Sequence, residues 1–111
     1  MKISIIITNF NYGKYIERCI RSCMNQNYSS GLKNLNKDFE IIVVDDCSTD
    51  DSKKKITRYE KFINFNSIFN KKNIGVAASA NKAILKSKGK YFIRVDADDY
   101  ISVNTINILF R

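Results

Sequence analysis

Histidine, proline and tryptophan are all absent from the 111 residues of this chain. The missing histidine excludes the commonest general base, the usual partner of a catalytic nucleophile and the most frequent nitrogen ligand of zinc. Any chemistry must therefore depend on carboxylates, hydroxyls, amides, thiols or cationic side chains.

Cysteine is scarce and long apolar runs are missing. The three cysteines, Cys19, Cys23 and Cys47, are odd in number and lack the spacing of a zinc ribbon. Cys19 and Cys23 lie about one helical turn apart, which predicts a shared buried face rather than a disulfide. This usage favours a reducing, cytoplasmic compartment. The apolar run at residues 3–8 is too short for a signal peptide or a membrane span, and no later run approaches that length.

Acidic residues are outnumbered, because 19 Lys and Arg oppose 11 Asp and Glu and give a net charge of +8. The lysines are scattered, and no basic stripe alternates with aromatic residues as in proteins that stack single-stranded nucleic acid. We interpret the excess as a solvated surface and expect no nucleic-acid partner. A phosphorylated ligand or an anionic membrane surface stays open as a partner.

Short β-branched apolar runs predict strands at residues 3–8, 39–45 and 91–96, with a weaker one at 66–70. Apolar residues at helical spacing lie between these runs, at Tyr15 to Met24, at Ile56, Tyr59 and Ile63, at Val76 to Ser87, and from Val103 onward. This alternation predicts an α/β fold, a Rossmann-like parallel sheet with helices on both faces. Residues 1–111 are expected to form a single domain that is incomplete at the carboxyl terminus, because the chain stops inside the last predicted helix.

Seven of the 11 acidic residues fall in two clusters, Asp45, Asp46, Asp50 and Asp51, and Asp96, Asp98 and Asp99. Each cluster follows a predicted strand, and ligands of open α/β sheets bind outside the carboxyl ends of the strands. Both clusters and the segment TNFNYGK after the first strand should therefore meet at one edge. Neighbouring carboxylates repel each other unless water screens them at an exposed turn or a cation lies among them.

Four segments resemble, in order and spacing, the amino-terminal nucleotide-binding half of a family 2 glycosyltransferase of the GT-A fold. They are SIIITNFNYGKYIERCIRSCMNQNY, FEIIVVDDCSTDDS, NIGVAASANKAI and GKYFIRVDADDY. The resemblance covers nearly the whole chain, apart from a longer linker around residues 29–38. It implies metal-dependent transfer of a sugar from a nucleotide diphosphate, with a UDP-sugar favoured, to an acceptor hydroxyl with inversion.

The resemblance also assigns the second acidic cluster. Asp98 would ligate a Mn²⁺ or Mg²⁺ ion that bridges the donor's diphosphate, and Asp96 would approach the ribose hydroxyls or the ion through water. Ala97 between them is assigned to nucleotide binding. Carboxylate oxygens are the hard ligands that such ions prefer. Asp99 has two open interpretations, a part in the site or a cap of the next helix.

The nucleobase is assigned to the first two strand ends by the same resemblance. Asp46 would accept a hydrogen bond from the imide N–H of uracil, Thr8 and Asn9 would lie near the base, and Phe10 would pack against it. Four neighbours are expected to be structural: Asn11 and Gly13 in the first turn, and Asp50 and Asp51 at the start of the second helix.

This chain departs from the family pattern at two positions. Ala80 stands where family members often carry Arg, so the diphosphate would need another cation, for which Lys72 and Lys82 are candidates. Cys47 stands where Gly is common, and we expect it to be a small side chain in a turn.

No residue matches the family's catalytic base, which we expect beyond Arg111; the catalytic residue is therefore unassigned. The implied acceptor is a glycan or a lipid-linked molecule, and the implied location is the cytoplasm, with peripheral contact at the membrane face.

A non-catalytic nucleotide- or metal-binding module would keep the same residues and lack turnover. A phospho-accepting receiver domain is disfavoured, because its first strand would end in acids rather than in TNFN. A haloacid-type phosphatase is disfavoured because DADDY lies late in the chain.

Overall fold

The computed structural model describes residues 3–26 and 39–109 of the chain. In this part four strands form one parallel sheet in the order β3-β2-β1-β4, where β1 is Ile3–Asn9, β2 is Phe39–Asp45, β3 is Phe65–Phe69 and β4 is Tyr91–Asp96. The helices are α1 (Ile16–Met24), α2 (Ser52–Thr57), α3 (Val76–Lys86) and α4 (Thr105–Leu109). The alternating order confirms the predicted α/β fold and all four strands. The longer linker at residues 29–38 lies outside the described residues.

Helices cover both faces of the sheet, as predicted. Every residue of β1 and β2 is buried, which explains why these strands read as nearly continuous apolar runs. Ile3, Ile5 and Ile7 point to the face covered by α1, α2 and α4, where the larger core lies. Ile6 points to the opposite face and packs with Ala83 of α3.

Helix α1 buries one stripe of its surface, which contains Ile16, Cys19, Ile20 and Cys23. Both cysteines are free thiols on this stripe, so the prediction of a shared buried face is confirmed. A hydrogen bond with Cys23, together with burial, raises the pKa of the Cys19 thiol above its ordinary value. The thiol therefore stays protonated and serves as a packing group.

The prediction that the second helix continues to Ile63 is wrong. Helix α2 ends at Thr57, and turns follow in which the Tyr59 N–H donates to the Ile56 carbonyl at 3.0 Å. Asn64, directly before β3, adopts a left-handed φ of 64°, and Ile63 is 66% exposed. Ile56 is buried in the core, and Tyr59 packs against Phe65 with the ring centroids 5.9 Å apart.

Helix α3 approaches the sheet through small side chains. Ser79, Ala80 and Ala83 are buried against it, whereas Val76 is 56% exposed and lies outside the packed face. Gly75 precedes the helix with a φ of 93°, a conformation that L side chains rarely adopt. None of the helices in the described part of the chain is long and apolar enough to cross a membrane.

A buried polar group joins the amino ends of three strands. The Glu40 carboxylate accepts hydrogen bonds from the Ser4 hydroxyl and from the Lys88 N–H, both at 2.6 Å. The Gly89 N–H donates to the Ser4 hydroxyl oxygen at 2.9 Å. A Cβ at Gly89 would lie 2.6 Å from the Ser4 nitrogen and 2.8 Å from the Ile3 carbonyl carbon. Only glycine at position 89 therefore allows the backbone before β4 to approach β1 this closely.

We predict that Gly89→Ala lowers the free energy of unfolding by about 1–3 kcal/mol, because the added methyl group forces backbone atoms apart. Chemical denaturation followed by circular dichroism measures this change. The matched control is Lys90→Ala at the exposed neighbouring position, for which we expect a change within about 0.5 kcal/mol. Equal stabilities of the two variants would contradict the close approach.

Candidate functional site

The carboxyl ends of β1, β2 and β4 lie side by side, because β1 pairs in parallel with both neighbours. The register places Thr8 beside Asp96 and Asn9 beside Asp45. The Thr8 hydroxyl donates to Asp96 Oδ1 at 3.3 Å, and Asn9 Nδ2 donates to Asp45 Oδ1 at 2.7 Å. The predicted convergence of the two acidic clusters and the first loop is confirmed. We call this border the carboxyl edge of the sheet.

A cavity of about 390 Å³ opens at the carboxyl edge, between the ends of β1 and β2 and the start of α3. It is lined by Thr8, Asn9, Phe10, Tyr12, Asp46, Asn73, Gly75, Val76 and Ser79. Phe10 and Tyr12 are 44% and 40% exposed, so their rings are open to a planar ligand. The four residues assigned to the nucleobase from sequence, Thr8, Asn9, Phe10 and Asp46, all border this one cavity.

Asp46 is a buried carboxylate held in place by the start of α3. Its oxygens accept hydrogen bonds from the Ile74 N–H and the Gly75 N–H, each at 2.8 Å, and from Asn70 Nδ2 at 3.0 Å. Burial opposes ionisation, but the hydrogen bonds outweigh it and hold the pKa of Asp46 below its ordinary value. Asp46 is therefore a fixed, ionised acceptor at the wall of the cavity.

Asn70 supports Asp46 and was not identified from the sequence. Its amide nitrogen also donates to the Ser79 hydroxyl at 3.0 Å, and its oxygen accepts a hydrogen bond from Lys82 Nζ at 2.9 Å. Lys82, a candidate cation for the diphosphate, is thus bound to the network around Asp46. Lys72, the other candidate, is exposed. No sequence signal distinguishes Asn70 from the other asparagines, because its partners lie on other elements.

The loop after β2 is held by Asp45 and Ser48. Asp45 accepts hydrogen bonds from the Ser48 N–H at 3.0 Å and from the Ser48 hydroxyl at 2.6 Å, so it orients this loop. Cys47 between them has a φ of 62°, which agrees with its predicted place in a turn where glycine is common. Asn9 Oδ1 is buried here without a hydrogen-bond partner among residues 3–26 and 39–109.

The loops after β1 and β2 are joined by hydrogen bonds, which fixes Phe10 and Tyr12 at the cavity. Asn11, with a φ of 57°, accepts a hydrogen bond from the Thr49 N–H at 2.8 Å. The Gly13 N–H donates to Asp50 Oδ2 at 2.8 Å, and a side chain at Gly13 would collide with the carboxylates of Asp51 and Asp50. The structural interpretation of Asn11 and Gly13 is confirmed.

Asp50 and Asp51 lie at the start of α2, as expected. Asp51 is the residue that precedes the helix, but the Ser52 N–H donates its hydrogen bond to Asp50 Oδ1, at 2.9 Å. Although burial opposes ionisation, hydrogen bonds from Ser52 and from Gly13 hold the pKa of Asp50 below its ordinary value. Asp51 instead pairs with Lys55 at 3.4 Å.

Residues 96–99 form a turn at the end of β4, which we call the acidic turn. Carboxylate oxygens of Asp96, Asp98 and Asp99 all lie within 4.8 Å of one another, and all three residues are exposed. The turn is closed by the Asp99 N–H, which donates to the Asp96 carbonyl at 2.9 Å. Ala97 is buried in the core, and its role in nucleotide binding stays a prediction. Because α4 begins only at Thr105, Asp99 does not cap that helix.

The acidic turn fits a hard divalent cation. Three exposed carboxylates within this distance offer oxygen ligands and leave room for waters and phosphate oxygens, as Mn²⁺ and Mg²⁺ require. A cation among them would also offset their mutual repulsion. Asp98 and Asp96, the two residues assigned to a metal from sequence, both belong to this cluster, and Asp99 joins them.

Comparison of the sequence with known proteins gives a consistent result. The sequence model described as glycosyl transferase family 2 matches residues 4–111. The cholesterol galactosyltransferase of Borreliella burgdorferi is 33% identical over 110 residues, which are 99% of this chain and 28% of the relative. The poly(ribitol-phosphate) beta-N-acetylglucosaminyltransferase TarS of Staphylococcus aureus is 32% identical over 107 residues, 96% of this chain and 18% of TarS.

Solved structures share the fold. The crystal structure of S. aureus TarS 1–349 in complex with UDP superposes with a TM-score of 0.84 at 31% identity, over 98% of this chain and 31% of that one. The mannosyltransferase PcManGT of Pyrobaculum calidifontis, in complex with GDP-Man and Mn²⁺, has a TM-score of 0.77 at 22% identity, over 89% of this chain and 28% of that one, and supports the fold alone. The chain thus spans less than a third of the length of these proteins. With its family match, its relatives and its GT-A type of sheet, the chain belongs to glycosyl transferase family 2.

Proposed function

We propose that this chain binds the donor of an inverting, metal-dependent glycosyltransferase, and that the donor is a UDP-sugar. The observation that carries the proposal is the hydrogen bond from Thr8 to Asp96, which joins the cavity at Asp46 to the acidic turn. A nucleotide whose base lies in the cavity would thereby direct its diphosphate toward the acidic turn. TarS, at 31% identity, has been crystallised with UDP and with UDP-GlcNAc.

Each part of the donor has a matching group at the carboxyl edge. Asp46 is ionised and fixed, so it would accept the hydrogen bond of the uracil imide N–H, and Phe10 would pack against the base. Asp96 would approach the ribose hydroxyls. Asp98, with Asp99, would hold Mn²⁺ or Mg²⁺ beside the diphosphate. When bound, such an ion stabilises the negative charge of the leaving diphosphate as a Lewis acid.

The proposed reaction is a single displacement. The acceptor hydroxyl oxygen bonds to the anomeric carbon from the face opposite the diphosphate, while the bond from that carbon to the diphosphate oxygen breaks, which inverts the configuration. A carboxylate base takes the acceptor proton. We assign no base within this chain and place it in the part of the relatives' length that the chain does not span. The chain by itself would then bind the donor without turnover, as a nucleotide-binding module does.

The proposed acceptor is a hydroxyl of a glycan or of a lipid-linked molecule. The names of two relatives include cholesterol, a lipid, and poly(ribitol-phosphate), a polymer, which supports both classes of acceptor for the proposal. We place the reaction in the cytoplasm, with peripheral contact at the membrane face. The free thiols of Cys19, Cys23 and Cys47 agree with a reducing compartment.

We predict that Asp98→Asn weakens Mn²⁺-dependent UDP binding about tenfold or more, because the substitution removes a charged oxygen ligand from the acidic turn. Isothermal titration calorimetry with UDP, first with Mn²⁺ and then with EDTA, measures this loss. The control is Asp51→Asn, which removes the same charge from an exposed position at the start of α2 and should leave binding unchanged. UDP binding that neither EDTA nor Asp98→Asn weakens would contradict the metal site.

We predict that Asp46→Asn lowers UDP affinity about tenfold, the value of a hydrogen bond to a charged group, while the affinity for Mn²⁺-pyrophosphate is unchanged. Comparing the two ligands separates loss of base recognition from disturbance of the fold. Because the pKa of Asp46 is lowered, its carboxylate stays ionised and the wild-type preference for UDP over pyrophosphate should hold from about pH 7 to about pH 5. Equal losses of affinity for UDP and for Mn²⁺-pyrophosphate would contradict a role of Asp46 in base recognition.

A further inference from the structure

The segment between β4 and α4 contains the acidic turn but little regular structure. Residues 97–104 are turns and irregular chain, so their main-chain N–H and C=O groups cannot all pair within a helix or a sheet. Unpaired backbone groups cost free energy and leave a loop with several conformations. The spacing of the carboxylates in the acidic turn therefore depends on which other groups hold this segment.

Two side chains of helix α1 donate hydrogen bonds to the main chain of the acidic turn. Arg18 Nη2 donates a hydrogen bond to the Asp98 carbonyl at 3.3 Å, and the Cys19 thiol donates to the Asp96 carbonyl at 3.6 Å. These two neighbouring side chains contact the main chain of both residues assigned to the metal. Asp96, Asp98 and Asp99 themselves remain exposed.

The same face of α1 holds the chain that follows the turn. The Ser22 hydroxyl oxygen accepts a hydrogen bond from the Ile101 N–H at 3.1 Å. Gln26, just beyond α1, donates to the Ser102 carbonyl at 2.9 Å and accepts from the Ile106 N–H at 3.0 Å. Positions 18, 22 and 26 recur every four residues and so lie in one row along the helix. The row follows residues 98–106 in sequence order.

Arg18, an exposed residue, is the member of this row that touches the acidic turn, and it also contacts two aromatic rings. Its guanidinium lies over the Tyr100 ring, 4.6 Å from the centroid, and near the Tyr15 ring at 5.3 Å. Tyr100 directly follows the acidic turn, so Arg18 contacts the turn at Asp98 and again two residues later. The guanidinium of Arg18 therefore lies close to both the Tyr15 ring and the Tyr100 ring, next to the acidic turn.

We propose that Arg18 is a positioning residue of the metal site: by holding the Asp98 carbonyl and the Tyr100 ring, it sets the spacing of the Asp96, Asp98 and Asp99 carboxylates. The inference rests on the proposed function of the acidic turn as a divalent-cation site. It assigns to α1 a part in the cation affinity of the acidic turn.

The charge of Arg18 and its positioning role are expected to change cation affinity in opposite directions, so an experiment can distinguish them. A positive guanidinium near the acidic turn repels a divalent cation, so removing it for charge alone would tighten cation binding. Removing a group that positions the ligands would weaken binding, and partners that orient metal ligands commonly contribute about tenfold or more to affinity. The sign of the change therefore separates positioning from charge.

The test compares three variants of the full chain: Arg18→Ala, Arg18→Lys and Arg21→Ala. Arg21 lies on the same helix, pairs with Glu17 at 3.9 Å and has a side chain that is 62% exposed, so its removal is a matched loss of charge. Mn²⁺ is titrated into each protein with UDP present, and the free-ion signal is followed by electron paramagnetic resonance against a blank with UDP alone. UDP affinity in EDTA and the melting temperature are measured in parallel.

We expect Arg18→Ala to raise the Mn²⁺ dissociation constant about tenfold. Arg18→Lys should raise it less than about threefold, because an ammonium can still donate to the Asp98 carbonyl and lie over Tyr100. Arg21→Ala should leave the Mn²⁺ dissociation constant unchanged. UDP affinity in EDTA and the melting temperature should be the same in all three variants as in the wild type. Mn²⁺ affinity in Arg18→Ala equal to or tighter than that in Arg21→Ala would overturn the positioning role alone. A wild-type chain that binds no Mn²⁺ would overturn the proposed function and this inference with it.

Discussion

The parallel pairing of β1 with both β2 and β4 is the constraint on which the rest of the structure depends. It places the ends of three strands side by side, so the loops that follow them leave the sheet at one edge. A slip of one residue in either register would turn the apolar side chains of β1 to the wrong face of the sheet. The same isoleucines that stabilise the core therefore bring Asp46 to Thr8 and Thr8 to Asp96.

Buried polar groups then give the carboxyl edge its shape, since each must be paired in a low-dielectric environment. Asp46 pairs with the start of α3, Asp45 with the loop after β2, and Gln26 with the start of α4. In each case a side chain from one element bonds to the main chain or hydroxyl of another. Loops that would otherwise sample many conformations are held in one, which is what a site for an extended, charged ligand needs.

The sequence predicted the parts of the molecule that depend on local pattern and failed where tertiary contacts decide. Strands β1, β2 and β4 were predictable from β-branched apolar runs, and Asp46 and Asp98 from strand ends and family resemblance. The end of α2 could not be predicted, because Tyr59 packs against the core from the turns after the helix, while Ile63 in the same spacing is exposed. The roles of Asn70 and Arg18 could not be predicted from the sequence either, because their partners come close only in the folded sheet.

The central claim is that the cavity at Asp46 and the acidic turn form one site for one ligand. Nuclear magnetic resonance of the isotope-labelled chain with UDP tests it most directly, with Mg²⁺ first and Mn²⁺ then added in trace amounts. We predict that UDP shifts the amide signals of Ile74 and Gly75, and that Mn²⁺ in the same complex broadens the signals of Asp98, Asp99 and Tyr100. Broadening centred instead on Asp50 and Asp51, or shifts confined to residues away from the carboxyl edge, would contradict the claim.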